Sequence, residues 1–232
     1  MKVSLVTTSW DDGHKYDIRL ARVLKEYGLS GTFYISPHNR EIAKDSLLNP
    51  QEISDIGNDF EIGAHTMTHP RLPTLSESQA EAEISESKLT LEVITGKVLS
   101  SFCYPAGAYD DIHVQLVRDA GFTYARTIKR HKFAVGNPYE AATTLHTYNH
   151  WTDIGRIAKF AGFRPVRCLQ YRAWDAMARD MFDYVKREGG MFHLWGHSWE
   201  IDRYQEWERL EDVCRYISGH SDVSYVTNSE LV

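Results

Sequence analysis

Two adjacent carboxylates, Asp11 and Asp12, follow an alternating run from Val3 to Thr8 and stand directly before Gly13. On extended chain, successive side chains point to opposite faces, so one carboxylate can hold a metal while the other stays free to move a proton. Gly13 permits the tight turn that must follow, with dihedrals other residues avoid. His65 and His69 are four apart, just past another extended run, Phe60 to Ala64. Two imidazoles and one carboxylate form a three-donor set that suits a borderline divalent ion such as zinc and leaves positions open for water and substrate. His197 follows Gly196 at the end of the run Met191 to Trp195. His193 lies four residues earlier on the same face, deeper in the strand, and reads as a core or barrel-lining histidine.

These residues need a scaffold that gathers strand ends, and the rest of the chain supplies one. Strand patterns at Val3–Thr8, Gly31–Ser36, Phe60–Ala64, Leu99–Tyr104, Thr123–Thr127, Ala142–Tyr148, Met191–Trp195 and Asp222–Val226 alternate with helical ones. Asp17 is placed to cap a helix over Ile18–Tyr27 that stops at Gly28. Pro37 to Glu52 reads as loop or irregular helix. Ser76 and Gln79 form a capping box, and Ala80, Ile84, Ser87, Leu91 and Ile94 make a stripe at helical spacing that ends at Gly96. Asp110 or Asp111 caps a short helix to Ala120, and further helices run from Asp175 to Glu188 and through Trp207, Leu210, Cys214 and Ile217. Strands joined by helices make a parallel sheet whose C-terminal ends share one side. The expected fold is α/β, a distorted (β/α) barrel of seven or eight parallel strands, which would collect those ends around one pocket. An open doubly wound sheet usually carries a glycine-rich phosphate turn after its first strand; Asp11-Asp12-Gly13 would repel phosphate.

Composition narrows the function classes. The chain has 232 residues, 42% of them apolar and 25% charged, which fits a single globular domain over 1–232. A net charge of −6 argues against nucleic acid as a partner. Cys103, Cys168 and Cys214 are odd in number and widely spaced, so they suggest neither a disulfide framework nor a zinc ribbon. They favour a reducing compartment. The first residues show no charged leader followed by an apolar core of roughly 7–15 residues, and no run reaches the ~18 apolar residues that span a bilayer. The expectation is a cytoplasmic protein without a transmembrane segment.

Ser9-Trp10-Asp11-Asp12-Gly13 resembles the first motif of the polysaccharide deacetylases, the NodB-homology group of carbohydrate esterases, and His65-Thr66-Met67-Thr68-His69-Pro70 resembles their second. Phe102-Cys103-Tyr104-Pro105-Ala106-Gly107 is similar to the third motif, and Met191 to His197 to the fifth; the motifs keep the family's order over nearly the whole chain. The resemblance implies a metal-dependent hydrolase that removes acetyl groups from an acetylated saccharide, most simply with zinc. It implies Asp12, His65 and His69 as metal ligands, Asp11 as general base, His197 as general acid and the backbone N–H of Ala106 as oxyanion donor. The third motif departs from the family in having Cys103 where an arginine usually pairs with the base, which leaves Arg126 and Arg164 as candidate replacements. No clean fourth motif is present; Trp174-Asp175 is a faint echo, and Glu200 and Asp202 could orient His197. Tyr104, His146, Trp151, Trp195 and Trp199 are candidate sugar platforms. A hydrolase of a small cyclic amide or amidine on the same barrel and a non-catalytic carbohydrate-binding protein stay open as alternatives.

Overall fold

The computed structural model describes residues 2–148, 154–171 and 173–232. Its frame is one sheet around a long central strand, β1 (Ser4–Asp12). β1 pairs along seven residues with β7 (Gly190–Gly196), from Ser4 opposite Gly190 to Trp10 opposite Gly196. Its other edge is shared: β2 (Thr32–Ile35) takes Ser9 to Asp12, and β8 (Ser224–Tyr225) takes Leu5 and Val6. Beyond β2 come β3 (Glu61–Ala64), β4 (Ser101–Cys103) and β5 (Tyr124–Arg126), and beyond β7 comes β6 (Leu145–His146). Every strand pairing among the described residues is parallel. β5 and β6 end the strand order, and the chain between them joins the rim through a parallel bridge from Arg126 to Ala141. The sheet therefore curls into the distorted barrel the strand pattern predicts.

Alternation along β1 separates two environments. Val6 and Trp10 belong to the apolar core, while Thr7, Ser9 and Asp11 hydrogen-bond Asn228, His193 and Arg126 inside the barrel. The interior is thus polar and cross-linked, and the helices cover the apolar outer face.

α1 (Asp17–Glu26), α2 (Pro50–Asp59), α3 (Glu77–Thr95) and α4 (Asp111–Asp119) follow successive strands. α5 (Ile154–Phe160), α6 (Pro165–Gln170) and α7 (Trp174–Glu188) separate β6 from β7, and α8 (Ser198–Arg203) and α9 (Trp207–Ile217) lead to β8. The Ser76–Gln79 capping box and the Gly96 stop of α3 stand as expected, with Gly96 at φ 66°. Asp110 caps α4 by accepting from the Ile112 and His113 N–H groups.

Three expectations are corrected. β1 does not stop before the acidic pair: Asp11 and Asp12 pair with Tyr34 and Ile35 and are the last two residues of the strand. Asp17 is not a cap, because Tyr16 holds that position and the Asp17 carboxyl is fully buried beside Ser198, where burial raises its pKa well above the usual range. The segment Pro37–Glu52 contains the start of α2, built on a capping box between Asn49 and Glu52 with Pro50 in the first turn. No helix among the described residues is long and apolar enough to cross a membrane.

Candidate active site

The acidic pair escapes the alternation expected of it. Asp12 follows Trp10 by two residues, so regular pleating would send its carboxyl outward. Its φ of 85° breaks the pleat instead, and both carboxylates bear on one site: His197 Nε2 is 3.9 Å from Asp11 Oδ2 and 3.9 Å from Asp12 Oδ2. Gly13 continues the turn at φ 71°, where an added Cβ would lie 2.8 Å from the Ile35 side chain. A left-handed residue other than glycine costs on the order of 1–3 kcal/mol and persists where the surroundings enforce it. The loop after β3 repeats this, with Thr66 at φ 63° and His69 at φ 64°.

That loop brings both imidazoles to Asp12. Asp12 Oδ1 lies 3.8 Å from His65 Nε2 and 3.4 Å from His69 Nε2, and all three side chains are almost completely buried. Behind the centre, His65 Nδ1 meets the Cys103 carbonyl oxygen at 2.7 Å; His69 Nδ1 lies 3.0 Å from Glu41 Oε2 without the geometry of a hydrogen bond. The Cys103 contact orients the His65 ring and leaves its Nε2 lone pair facing the centre. Burial, then the neighbouring His69, lowers the His65 pKa to about 4, so the ring is neutral and able to ligate. Asp12 Oδ2 accepts from the Trp199 indole N–H at 2.9 Å, whereas buried Asp12 Oδ1 has no hydrogen-bond partner among the described residues. An orphaned carboxylate oxygen facing two imidazole nitrogens fits a divalent cation.

Asp11 is held differently. The Arg126 guanidinium donates to both of its oxygens, and both residues are buried. Burial, the largest influence, would raise the Asp11 pKa, but the Arg126 charge and hydrogen bond, together with the charges of His65 and His197, outweigh it, and the group stands lowered to about 2. Arg126 lies over the ring of Trp195 at 4.5 Å and that of Tyr34 at 5.3 Å. Its Cα is the register partner of Cys103 across the β4–β5 pair. The arginine missing from the third motif is thus supplied by the facing residue of the next strand. Of the two candidates, Arg164 is elsewhere, exposed before α6. Cys103 Sγ sits 3.9 Å from Asp11 Oδ2, and burial keeps it a neutral thiol.

His197 lies at the mouth, and its Nδ1 is 2.6 Å from Glu200 Oε2. Burial pulls its pKa down, but the Glu200 hydrogen bond and the charges of Asp12 and Asp11 raise it to about 9. Glu200 also faces His146 Nε2 at 3.3 Å. Asp175, the fourth-motif echo, instead pairs with Arg209 at 3.5 Å, and Asp202 accepts from the Trp207 indole at 3.0 Å. His193 is fully buried, 2.8 Å from Ser9 Oγ. Glu200→Gln keeps an acceptor for the ring but removes the charge that favours the imidazolium. If a protonated His197 is needed for turnover, activity falls as pH rises through its pKa. In the variant that alkaline limb should move down by about one pH unit or more; an unmoved limb would sever Glu200 from this role.

Three of the candidate sugar platforms are corrected. Tyr104 is fully buried, stacks on Tyr109 at 4.4 Å and donates its hydroxyl to the Tyr139 carbonyl, so no face is left for a sugar. Trp195 is enclosed between Arg126 and the His146 ring, which it meets at 4.0 Å. His146 is buried behind His197. Trp199 is half-buried at the mouth, 5.2 Å from the His197 ring, and Trp151 lies outside the described residues. Ala106 occupies a left-handed turn, φ 51°, exposed at the end of β4.

A family model described as polysaccharide deacetylase matches residues 1–125, more than half of the chain. The chain belongs to the polysaccharide deacetylase family. The matched part includes Asp11, Asp12, His65, His69, Cys103 and Ala106; Arg126, His197 and Glu200 lie beyond it. Among solved deacetylase structures, a polysaccharide deacetylase from Bacillus cereus is 27% identical over 59% of this chain and 45% of its own, with a TM-score of 0.51. A Streptococcus pyogenes deacetylase in complex with acetate is 19% identical over 59% of this chain and 62% of its own, at 0.55. The chain thus spans about half of the length of these two relatives. The chitin deacetylase of the fungal pathogen Colletotrichum lindemuthianum matches the fold over 100% of this chain and 88% of its own, at 18% identity and a TM-score of 0.64. No curated protein sequence matches the chain. Within this deacetylase family, the arginine on β5 and the Glu200 partner of His197 are what the first three motifs did not indicate.

Proposed function

We propose that the chain is a metal-dependent hydrolase that releases acetyl groups from an acetylated amino sugar, oligosaccharide or polysaccharide. The observation that carries this is the orphaned Asp12 Oδ1 between the Nε2 atoms of His65 and His69, with Asp11, ion-paired to Arg126, and His197 beside it. A divalent ion held by Asp12, His65 and His69, for which zinc suits the donor set, supplies Lewis acidity toward the acyl oxygen and toward water. Asp11 is the proposed base that takes the proton of the attacking water. Arg126 keeps it ionised and fixes its direction. The Ala106 N–H is the proposed donor to the oxygen that becomes negative as the tetrahedral centre forms. His197, protonated on Nε2 and held through Nδ1 by Glu200, gives its proton to the leaving nitrogen, without which the amine departs poorly.

Acetate release from N-acetylglucosamine oligomers tests this, assayed with purified protein, after chelation and after zinc is restored. Release that disappears on chelation and returns with zinc is the expected result. The burial of Tyr104, His146 and Trp195 leaves few described aromatic faces for a long saccharide, which supports a second reading, a hydrolase of a small cyclic amide or amidine. Ring opening of such compounds without acetate release would favour it. Saccharide binding with no turnover after zinc is restored would mark a carbohydrate-binding protein. Cys103, Cys168 and Cys214 are free, and a cytoplasmic site of action is part of the proposal.

A further inference from the structure

The hairpin of α5 and α6, between β6 and α7, combines exposed apolar side chains with cationic ones. Its inner side is anchored: Phe160 packs 6.3 Å from Phe133 and 5.9 Å from Tyr171. Its outer side carries Phe163, Val166 and Leu169, which are 74%, 71% and 69% exposed. Val166 and Leu169 are three apart on α6, so they share a face, while Tyr171 just beyond is buried. Bulky apolar side chains grouped this way on a surface mark an interaction site.

The charge around them is equally one-sided. Residues 157–171 include Lys159, Arg164 and Arg167 and no Asp or Glu, in a chain whose net charge is −6. Residues 127–133 add Arg130 and Lys132, and Lys129, which pairs with Glu140 at 3.0 Å. The two segments flank a groove of about 800 Å³ whose floor is Phe133, Phe160, Met177 and Met181 and whose cationic rim includes Lys132 and Lys159. No salt bridge to a described residue engages Lys132, Lys159, Arg164 or Arg167.

We propose that this hairpin and groove form a docking surface for an anionic phospholipid bilayer: Phe163, Val166 and Leu169 enter the interface, and the surrounding lysines and arginines meet the phosphates. Apolar side chains inside a cationic border are the composition of interfacial membrane-binding segments. A second copy of this chain is a poorer occupant, because a two-fold pairing of the patch would set cation against cation.

Co-sedimentation with vesicles of phosphatidylcholine alone and of equal parts phosphatidylcholine and phosphatidylglycerol tests the proposal. Binding should require phosphatidylglycerol and weaken at high salt. Each cation removed near such a surface weakens partition by roughly fivefold, so Arg164→Ser/Arg167→Ser should bind more than ~20-fold less tightly. Val166→Ser/Leu169→Ser should lose binding comparably. Both variants change exposed residues away from the pocket, so their thermal midpoints and any acetate release from soluble oligomers should match the parent. Three outcomes would overturn the proposal: no binding to either vesicle, equal binding to both, or undiminished binding by both variants. A concentration-dependent dimer abolished by Val166→Ser/Leu169→Ser would assign the patch to a second copy instead. The readout is partition rather than turnover, so failure here leaves the hydrolase reading intact.

Discussion

Asp12→Ala is expected to strip bound metal and abolish turnover, whereas Asp11→Asn should keep metal at the parent stoichiometry and lose roughly 10²–10⁴-fold in kcat. The two carboxylates are neighbours in sequence, yet their surroundings separate them. Asp12 Oδ1 faces the two imidazole nitrogens with no hydrogen bond of its own, so removing it takes away one of three donors. Asp11 faces Arg126, and asparagine in its place still offers one oxygen to the guanidinium. What it loses is the capacity to accept a proton. Metal analysis of both purified variants, paired with acetate release, separates the roles. Full activity in Asp11→Asn would remove it as the base, and retained metal in Asp12→Ala would break the ligand set.

The chemistry-bearing ends of β1, β3 and β7 are legible in the sequence because each is local: a strand pattern, then a reactive residue, then a glycine or a loop. Parallel topology does the rest, since helical crossovers place all those ends on one side. The direction of Asp12 is not local in this sense. Strand periodicity separates it from Asp11, and only the left-handed φ at the strand's last residue brings it back to the pocket. Glu200 and Asp202 are both in reach of His197 by sequence, but α8 is six residues long and too short for periodicity to choose between them; the structure pairs His197 with Glu200. Glu41, whose carboxylate lies 3.0 Å from His69 Nδ1, is in a segment whose capping signals belong to the helix after it. The aromatic candidates fail for a related reason. Tyr104 and Trp195 have the composition of a sugar platform, and what excludes them is burial: Tyr109 stacks on Tyr104 from the following loop, while Tyr139, Arg126 and His146 come from far along the chain.

The second large effect is expected at Arg126. Its assignment to Asp11 depends on the register that sets Cys103 beside Arg126, a long-range fact that motif spacing does not contain. Arg126→Met should cost on the order of 3–5 kcal/mol of stability near neutral pH, because it strands a buried carboxylate without its counter-charge. The cost should depend on pH in a definite direction. With arginine present, Asp11 titrates at about 2 in the folded protein, below its ordinary 3.8. Its contribution is therefore present above the unfolded pKa and lost as pH falls through the folded one. In Arg126→Met, the largest of the influences opposing burial is gone, and the folded pKa moves up. Protonation then relieves the stranded carboxylate as pH falls, so the gap between variant and parent should narrow in acid. Urea unfolding of the parent, Arg126→Met, Asp11→Asn and the double variant closes the cycle. The double variant removes both charges together and should cost well under the sum of the two singles. Strict additivity would mean that the two side chains are not a pair. Cys103→Arg/Arg126→Cys moves the guanidinium back across the register to β4; recovery of acid-limb activity relative to Arg126→Cys alone would show that either strand can deliver it to Asp11.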